Sequence, residues 1–248
     1  MEIKSDYSEA LLFYRMGDFY ELFFEDAKVA ASALDIALTK RGKHSGEDIP
    51  MCGVPHHSAE NYIYTLINKG FRVAICEQME SPEEAKKRGY KAVVRRAVVR
   101  LVTPGTLTED TFLDAKKSNY LAAYSLVHGE ASVSWIDIST GSFYISSINP
   151  ERLASELTRL SPSEILLSED LAKVHRDLAE EFGISVTELG NSAFDSSSAR
   201  ERLKKIFNVE TVDGLGNFNR AELSSMGAII EYLQITQKGK LPLLSRPR

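Results

Sequence analysis

Residues 11–23, LLFYRMGDFYELF, carry the strand pattern around which we predict the first part of this chain to fold. The apolar and aromatic run from Leu11 to Met16 predicts a strand. In an extended backbone, side chains two residues apart leave the same face about 7 Å apart, so Phe19 and Glu21 would project together while Tyr20 points away. On a helix, the ring and the carboxylate would diverge. An aromatic ring beside a carboxylate acceptor suits a surface that wedges between stacked bases and meets a base edge.

The rest of the first part alternates helical and strand patterns. Apolar residues recur at helical spacing over Glu25–Leu38, and the acids at its start favour a helix N-terminus. A second helix is predicted over Ala59–Asn68, with Ser58 as its N-cap and Gly70 as its stop. The remaining elements are the two strands Phe71–Cys76 and Ala92–Val102, with the solvated loop Ser81–Gly89 between them.

Strand patterns dominate after a turn-rich polar stretch over residues 103–118, where we place the domain boundary. Three β-rich runs predict an antiparallel meander, namely Tyr120–Val127, Ala131–Ser139 and Ser142–Ile148. A helix, a strand, a helix and a strand follow, namely Glu151–Leu160, Glu164–Leu167, Asp170–Phe182 and a run near Val186. We therefore predict a mixed-sheet α/β domain over residues 1–113, a second α/β domain over residues 114–240, and the truncated start of a further domain over residues 241–248.

The composition describes a globular chain without the marks of a membrane or secreted protein. The net charge is −5 at pH 7, and there is no run of about eighteen apolar residues that could span a bilayer. The first residues form neither a basic nor an arginine-rich leader, so we expect a cytoplasmic location. Cys52 and Cys76 fit a reducing compartment. Together with His56 and His57 they lack the paired spacings that structural zinc prefers, so we predict no metal site.

Basic residues are clustered although the chain as a whole is acidic. No acid interrupts the bases between positions 86 and 100, which are Lys86, Lys87, Arg88, Lys91, Arg95, Arg96 and Arg100. A second, smaller cluster consists of Lys40, Arg41 and Lys43. Because lysine and arginine displace counterions from phosphates, these clusters are candidate contacts to a DNA backbone, although solvated loops are often as basic for solubility alone. With its negative net charge, we expect the chain alone to bind DNA weakly.

The segment Leu11–Ala27 resembles the mismatch-recognition domain of the MutS family of bacterial DNA mismatch repair proteins, whose hallmark is a Phe-x-Glu motif. Four further blocks resemble that family in the family's order: Leu38–Gly42, Ile49–His57, Val73–Gln78 and Val98–Thr106. The second part resembles the RNase H-like connector domain that follows the mismatch domain in this family. The implied fold class is a mixed-sheet α/β mismatch-recognition domain followed by an RNase H-like α/β connector domain.

The resemblance implies recognition of mismatched DNA in post-replicative repair. Phe19 would wedge into the mismatch from the minor groove, and Glu21 would hydrogen-bond the displaced base. Met16 is a candidate to pack beside the wedge, and Arg41 and Arg100 are candidates for backbone or groove contacts. A core role for Met16 and surface salt bridges for both arginines remain open as alternatives. The implied partners are double-stranded DNA with mismatches or small loops, the protein MutL and, in the full-length form, a second copy of the protein.

Two other function classes are open. An RNase H-like nuclease needs carboxylates that converge on two metal ions, and the strand Tyr120–Leu126 holds none, which leaves Asp137 without an evident partner. No stretch has the Gly-x4-Gly-Lys-Ser/Thr pattern that cradles phosphates, so we expect no enzyme and no cofactor in this chain, with ATP and magnesium only in the full-length family. The second class is a pure protein-interaction module, against which an exposed Phe19 beside Glu21 would count.

Overall fold

The computed structural model of the protein describes residues 2–89, 92–108 and 118–248. These residues divide into two compact units, one up to Thr103 and one from Pro104 onward. The boundary predicted between residues 113 and 114 lies outside the described residues and stays a prediction. Both units are mixed α/β, as predicted.

A six-stranded mixed sheet forms the first unit. Its strands are β1 (Ala10–Met16), β2 (Phe19–Phe23), β3 (Thr39–His44), β4 (Glu47–Pro55), β5 (Arg72–Gln78) and β6 (Arg96–Val102). They lie side by side in the order β3-β4-β2-β1-β5-β6, and only the neighbours β1 and β5 run parallel. The helices are α1 (Glu2–Ser5), α2 (Phe24–Leu34), α3 (Ala59–Asn68) and α4 (Pro82–Lys87).

Alternation along β1 and β2 decides which side of this sheet is core. Leu11 and Phe13 of β1 and Tyr20 and Leu22 of β2 are buried, as expected for residues two apart on one face. The helix α2 packs on β4 and presents buried alanines, which let a helix approach a sheet closely. The predicted strand Leu11–Met16 and the predicted helix Ala59–Asn68 are both confirmed.

Three predictions for the first unit were wrong in detail, and one hairpin was not predicted. The helix predicted to reach Leu38 ends at Leu34, because Asp35 adopts a left-handed conformation (φ 54°) and its N–H returns to the carbonyl of Ala31. The hairpin of β3 and β4 was not predicted, and every residue of β3 is exposed. The loop predicted over Ser81–Gly89 contains α4, which Ser81 and Glu84 close with a capping box. The last strand begins at Arg96 rather than at Ala92.

The second unit is built on a five-stranded sheet. Its strands are β7 (Tyr120–Val127), β8 (Glu130–Asp137), β9 (Ser142–Ile148), β10 (Glu164–Ser168) and β11 (Ser185–Leu189). They lie in the order β11-β10-β7-β8-β9, with β7, β8 and β9 antiparallel and β10 parallel to both of its neighbours. The helices are α5 (Leu153–Leu160), α6 (Glu169–Glu181), α7 (Ser196–Phe207) and α8 (Arg220–Thr236). The predicted meander and the alternation of helix and strand after it are confirmed.

A hydrophobic core lies on each face of this second sheet. One core joins Leu121 and Ile136 to the buried helix α8, and the other joins Tyr124 and Trp135 to α5 and α6. Neither α7 nor α8 was predicted. Since α8 is buried almost all round, its sequence lacks the one-sided apolar stripe that marks a surface helix.

Residues 241–248 run beside β9, the last strand of the second sheet. The N–H of Ser245 donates to the carbonyl of Gly141 at 2.8 Å, and the N–H of Ile145 donates to the carbonyl of Arg248 at 3.1 Å. Leu241 and Leu244 pack against the core on the α8 face. These residues therefore form part of the second unit's packing, and the prediction that they also begin a further domain stays a prediction.

Candidate nucleic-acid interface

A tight hairpin places Phe19 at one end of the strands of the first sheet. Gly17 and Asp18 are the only residues between β1 and β2, and Met16 pairs with Phe19 as the last pair of the ladder. Gly17 has φ +60°, and a two-residue type II′ turn takes glycine at this first position because other residues are strained there. Phe19 is therefore the first residue after the turn, and 48% of its surface is exposed.

The ring of Phe19 and the carboxylate of Glu21 leave the same face of β2. Tyr20 between them is only 5% exposed and lies on the opposite, buried face. On the neighbouring strand β4, Gly53 pairs with Glu21, and a Cβ built on this glycine would lie 3.9 Å from Cδ1 of Phe19 and 3.7 Å from Cγ of Glu21. A glycine at this position leaves the ring and the carboxylate side by side with no side chain of β4 between them.

Arg41 of β3 holds the carboxylate of Glu21. Its NH1 donates to both Oε1 and Oε2 of Glu21, and the side chain of Glu21 is 13% exposed while that of Arg41 is 48% exposed. Arg41 lies where the pairing of β3 with β4 shifts register, between Lys40 and Lys43. The structure thus brings two predicted site residues together, and it places Arg41 in the salt-bridge role that the sequence had left open as its alternative.

A polar contact behind the ring holds β2 in place. The hydroxyl of Tyr20 donates to Oε1 of Glu77 on β5, the guanidinium of Arg15 lies 5.6 Å from the centroid of the Tyr20 ring, and the ring of His56 lies 5.5 Å from it. Burial, and after it the neighbouring Glu77, raises the pKa of Tyr20 well above its ordinary value, so this hydroxyl stays a donor. The strand that carries Phe19 is therefore anchored on its inner side.

Met16 lies beside Phe19 and is held by an arginine that the sequence had not selected as a site residue. Arg96 of β6 places NH2 3.3 Å from Sδ of Met16 and donates from Nε to the carbonyl of Arg15 at 2.9 Å. The same guanidinium lies 4.9 Å from the centroid of the Tyr14 ring. The only sequence signal for Arg96 was its place in the basic run, and that run does not reveal that Arg96 reaches back to the tip of β1.

Arg100, the last predicted site residue, is not brought to this tip. It lies on β6 opposite Ile75 of β5, and β6 is three strand spacings from β2 in the sheet, about 14 Å. A contact from Arg100 to DNA would therefore fall on another part of the surface than the contact from Phe19. Its role as a DNA contact stays a prediction.

The connection from β5 to β6 adds positive charge at the same end of the sheet as the β1–β2 turn. Since β1 and β5 run parallel, the turn after β1 and the segment after β5 leave the sheet at the same end. The segment after β5 carries the exposed Lys86 and Lys87 on α4. Glu80 accepts from the backbone N–H of Arg95 at 2.7 Å and from the side chain of Arg88. The N–H of Arg95, more than any other neighbour, lowers the pKa of Glu80 below its ordinary value. Lys91 lies outside the described residues.

The two cysteines lie inside the first unit. Burial raises the pKa of Cys52 to about 11 and that of Cys76 to about 11, so both thiols are neutral at pH 7. His56 and His57 begin a short 3₁₀ turn after Pro55. Within residues 2–89, 92–108 and 118–248, no three His, Cys, Asp or Glu side chains cluster closely enough to hold a metal ion.

Two carboxyl groups of the second unit are buried, and they lie on opposite faces of its sheet. Asp137 pairs with Tyr120 and Glu164 with Leu121, and consecutive residues of β7 point to opposite faces. Oδ1 of Asp137 accepts from the N–H of Ser139 at 3.0 Å and from its hydroxyl at 2.6 Å. Glu164 accepts from three donors of its own unit, the hydroxyls of Tyr232 and Thr187 and the N–H of Gly105. This pair of carboxyl groups therefore cannot converge on one pair of metal ions.

Comparisons with known proteins agree on one family. Residues 1–111 match the family profile described as MutS domain I, and residues 119–245 match the profile described as MutS domain II. Relatives named DNA mismatch repair protein MutS from Roseobacter denitrificans and Ruegeria pomeroyi are 61% and 62% identical over 248 residues. Those matches cover 100% of this chain but only 28% of each relative.

A solved structure of T. thermophilus RuvC in complex with a Holliday junction substrate is similar over 50% of this chain and 99% of its own. The identity is 12% and the TM-score is 0.32. Among the described residues, no helix has the length and the apolar character needed to cross a bilayer.

Proposed function

This chain belongs to the MutS family, and from that membership we propose that it recognises mismatched DNA in post-replicative repair. The observation that carries the proposal is the exposed ring of Phe19, which shares one face of β2 with the carboxylate of Glu21. The substrates are double-stranded DNA with a mismatch or a small loop. We place the activity in the cytoplasm, since the two free thiols, Cys52 and Cys76, fit a reducing compartment.

Phe19 is the wedge in this proposal. Unstacking a paired base step costs a few kcal/mol, and a mismatched or unpaired base has already lost part of that stacking. The ring therefore enters from the minor groove more easily at a mismatch, and the duplex kinks there. The protein responds to how easily the DNA deforms and not to its sequence. The anchored side chain of Tyr20 supports this use of Phe19, because a wedge transmits force only from a strand that does not move.

Glu21 examines the base that the wedge displaces. Its carboxylate accepts a hydrogen bond from the base, and near phosphates its charge disfavours stable binding to intact DNA. A preference that arises partly from repulsion of the wrong substrate does not require tight contacts to the right one.

The proposal is tested in a full-length context, since the chain covers 28% of its relatives. We define the full-length chimera as the Roseobacter denitrificans relative in which this chain replaces the 248 residues that it matches. Its dissociation constants are measured by fluorescence anisotropy for a duplex with one G·T pair and for the same duplex with a G·C pair. We expect tighter binding to the G·T duplex. Equal binding to both duplexes would refute the proposed function.

Replacing Glu21 with glutamine in the chimera removes the negative charge and keeps an acceptor. We expect the affinity for the G·C duplex to stay the same or to rise about two- to threefold, because repulsion of the phosphates is relieved. Anisotropy titrations with both duplexes measure the change. A clear loss of affinity for the G·C duplex would contradict the repulsive role of Glu21.

Replacing Gly53 with valine tests whether the gap beside Phe19 matters. The new side chain would stand between the ring and the carboxylate, so we expect the preference for the G·T duplex to fall on the order of tenfold. The midpoint of urea unfolding should hardly move, since valine suits a strand. Gly53→Ala is the matched control and should retain most of the preference, because its Cβ makes only ordinary contacts, the nearest being the carbonyl oxygen of Tyr20 at 3.4 Å. An unchanged preference in Gly53→Val would show that this gap is not used.

The second unit is proposed to be a connector without catalysis of its own. It would relay mismatch recognition to MutL, and the ATPase, the magnesium and the homodimer contacts of the family would belong to other parts of the full-length protein. Two features argue against an RNase H-like nuclease: Asp137 and Glu164 lie on opposite faces of the sheet, and both already accept hydrogen bonds within their unit. Incubating the chain with DNA and manganese tests this, and metal-dependent cleavage would overturn it.

A further inference from the structure

We propose that Arg41 is the counter-ion of Glu21 in the free protein and transfers to a DNA phosphate on binding, which releases Glu21 for the displaced base. This inference rests on the proposed function, because it assigns a positioning residue to the same site. Its observation is the ion pair in which NH1 of Arg41 donates to both carboxylate oxygens of Glu21.

The ion pair occupies the acceptor that the proposed function needs. Glu21 is 13% exposed, and both of its oxygens are engaged by one nitrogen of Arg41. A base edge that approaches Glu21 therefore competes with Arg41 for the same oxygens. Either Arg41 moves away, or Glu21 makes a weaker contact with the base.

Arg41 is suited to leave, because half of its side chain faces solvent and its other donors are available. A guanidinium carries five N–H donors, and within the described part of the chain Nε and NH2 of Arg41 make no hydrogen bond. A phosphate can therefore bind the free side of the guanidinium before the contact with Glu21 breaks. Arginine also pairs with phosphate as well as with carboxylate, so the exchange replaces one ionic hydrogen-bonded pair by another.

The neighbouring cation on β3 has a different partner. Nζ of Lys40 lies 2.6 Å from Oδ2 of Asp48, and this hydrogen bond raises the pKa of Lys40 above its ordinary value. Lys40 is one residue from Arg41 and exposed, yet it does not touch Glu21. It therefore provides a matched control, a nearby positive charge on the same strand without the contact to Glu21.

The exchange couples the release of Glu21 to the insertion of the Phe19 ring into the duplex. While Arg41 stays on Glu21, it reduces the repulsion between the carboxylate and the phosphates but does not remove it, and the arginine is itself withheld from the DNA backbone, so binding to intact DNA gains little at this site. At an intact step Phe19 does not enter, so no base arrives to donate to Glu21 in place of the arginine. At a mismatch the ring enters, phosphate takes Arg41, and Glu21 is free to bind the displaced base. Arg41 then governs discrimination as well as affinity.

The test is a double-mutant cycle with Arg41→Met and Glu21→Gln, singly and together, in the full-length chimera. The dissociation constants for the G·T and G·C duplexes are measured over a series of salt concentrations. For the G·C duplex we expect Arg41→Met to leave the slope of log K against log salt unchanged in the Glu21 background and to lower its magnitude by about 0.9 in the Glu21→Gln background, because only the glutamine variant frees the arginine for a phosphate of intact DNA. For the G·T duplex we expect the magnitude of the slope of log K against log salt to fall by about 0.9 in Arg41→Met, which corresponds to one lost phosphate contact.

Three further measurements separate the possible outcomes. Arg41→Lys should restore the salt slope but only part of the discrimination, since lysine lacks the planar fork. Lys40→Met should show no coupling to Glu21→Gln. Urea unfolding of the unaltered chimera, the two single variants and the double variant is measured without DNA. The resulting coupling free energy reports the ion pair in the free protein independently of any mismatch preference.

Two results would overturn the inference. Equal changes of the G·C salt slope for Arg41→Met in both backgrounds would mean that Arg41 and Glu21 act separately. Coupling with an unchanged salt slope for the G·T duplex would mean that the ion pair persists on DNA and that no transfer occurs. If the unaltered chimera binds both duplexes equally, the proposed function fails instead, and the unfolding cycle still decides whether Arg41 pairs with Glu21.

Discussion

Replacing Phe19 with alanine in the full-length chimera is expected to abolish the preference for the G·T duplex, so that the ratio of the two dissociation constants falls to about one. Alanine keeps the strand but removes the ring, and without an intercalating group the difference in unstacking cost between the two duplexes is no longer sensed. Because Phe19 is 48% exposed, its loss removes little from the core, and the midpoint of urea unfolding should stay close to that of the unaltered protein. Competition titrations with the two duplexes measure the ratio.

Phe182→Ala is the matched control for this experiment. Phe182 is 42% exposed and lies in the second unit directly after α6, so the same atoms are removed from a surface of similar exposure. We expect it to leave the ratio unchanged. If Phe19→Ala retained the preference, Phe19 would not act as a wedge. If Phe182→Ala also lost the preference, the loss would come from removing exposed apolar surface in general and not from the position of Phe19.

Replacing Glu164 with alanine is expected to destabilise the second unit by about 4 kcal/mol, because three buried donors lose their acceptor. Glu164 is fully buried and accepts from the hydroxyl of Tyr232 at 2.7 Å, from the N–H of Gly105 at 2.9 Å and from the hydroxyl of Thr187. No solvent reaches this site to replace the carboxyl group. The corresponding fall in melting temperature is roughly 10 °C.

The only tryptophan of the chain provides the measurement. Trp135 lies on β8 in the second unit, so its fluorescence during heating or urea titration reports the unfolding of that unit. Glu188→Ala on the neighbouring strand β11 is the control, since Glu188 makes a surface ion pair with Arg176 at 3.0 Å and should contribute less than about 1 kcal/mol. A Glu164→Ala chain as stable as the Glu188→Ala chain would show that the three donors find other partners.

Sequence periodicity predicted the strands whose two faces differ. The pattern in residues 11–23 placed Phe19 and Glu21 on one face and Tyr20 on the other, and the structure agrees because the inner face of β2 is buried and the outer face is not. The strand β3 was missed for the opposite reason, since all of its residues are exposed and no alternation of apolar and polar residues marks it. The helix α8 was missed because it is buried on nearly every side, so that apolar residues do not form one stripe along it.

The candidate site could be predicted only where its residues are close in sequence. Phe19 and Glu21 are two residues apart, and their shared face follows from strand geometry alone. Arg41 meets Glu21 across two strand spacings through a register shift in β3, which no local pattern reveals. Arg96 and Arg100 belong to one basic run, yet only Arg96 contacts Met16, because the position of each along β6 depends on its pairing with β5.

The backbone contacts between residues 245–248 and β9 also bear on self-association. A bare outer strand offers a row of unpaired amide and carbonyl groups, on which another copy of a protein readily adds and from which aggregates grow. Here the hydroxyl of Ser245 accepts from the N–H of Phe143, and the backbone of Arg248 bonds to Phe143 and Ile145, so part of that row is occupied. Leu241 and Leu244 cover apolar surface beside it. Residues 241–248 thereby cover part of the outer strand β9, and deleting them would expose backbone groups suited to cross-chain pairing.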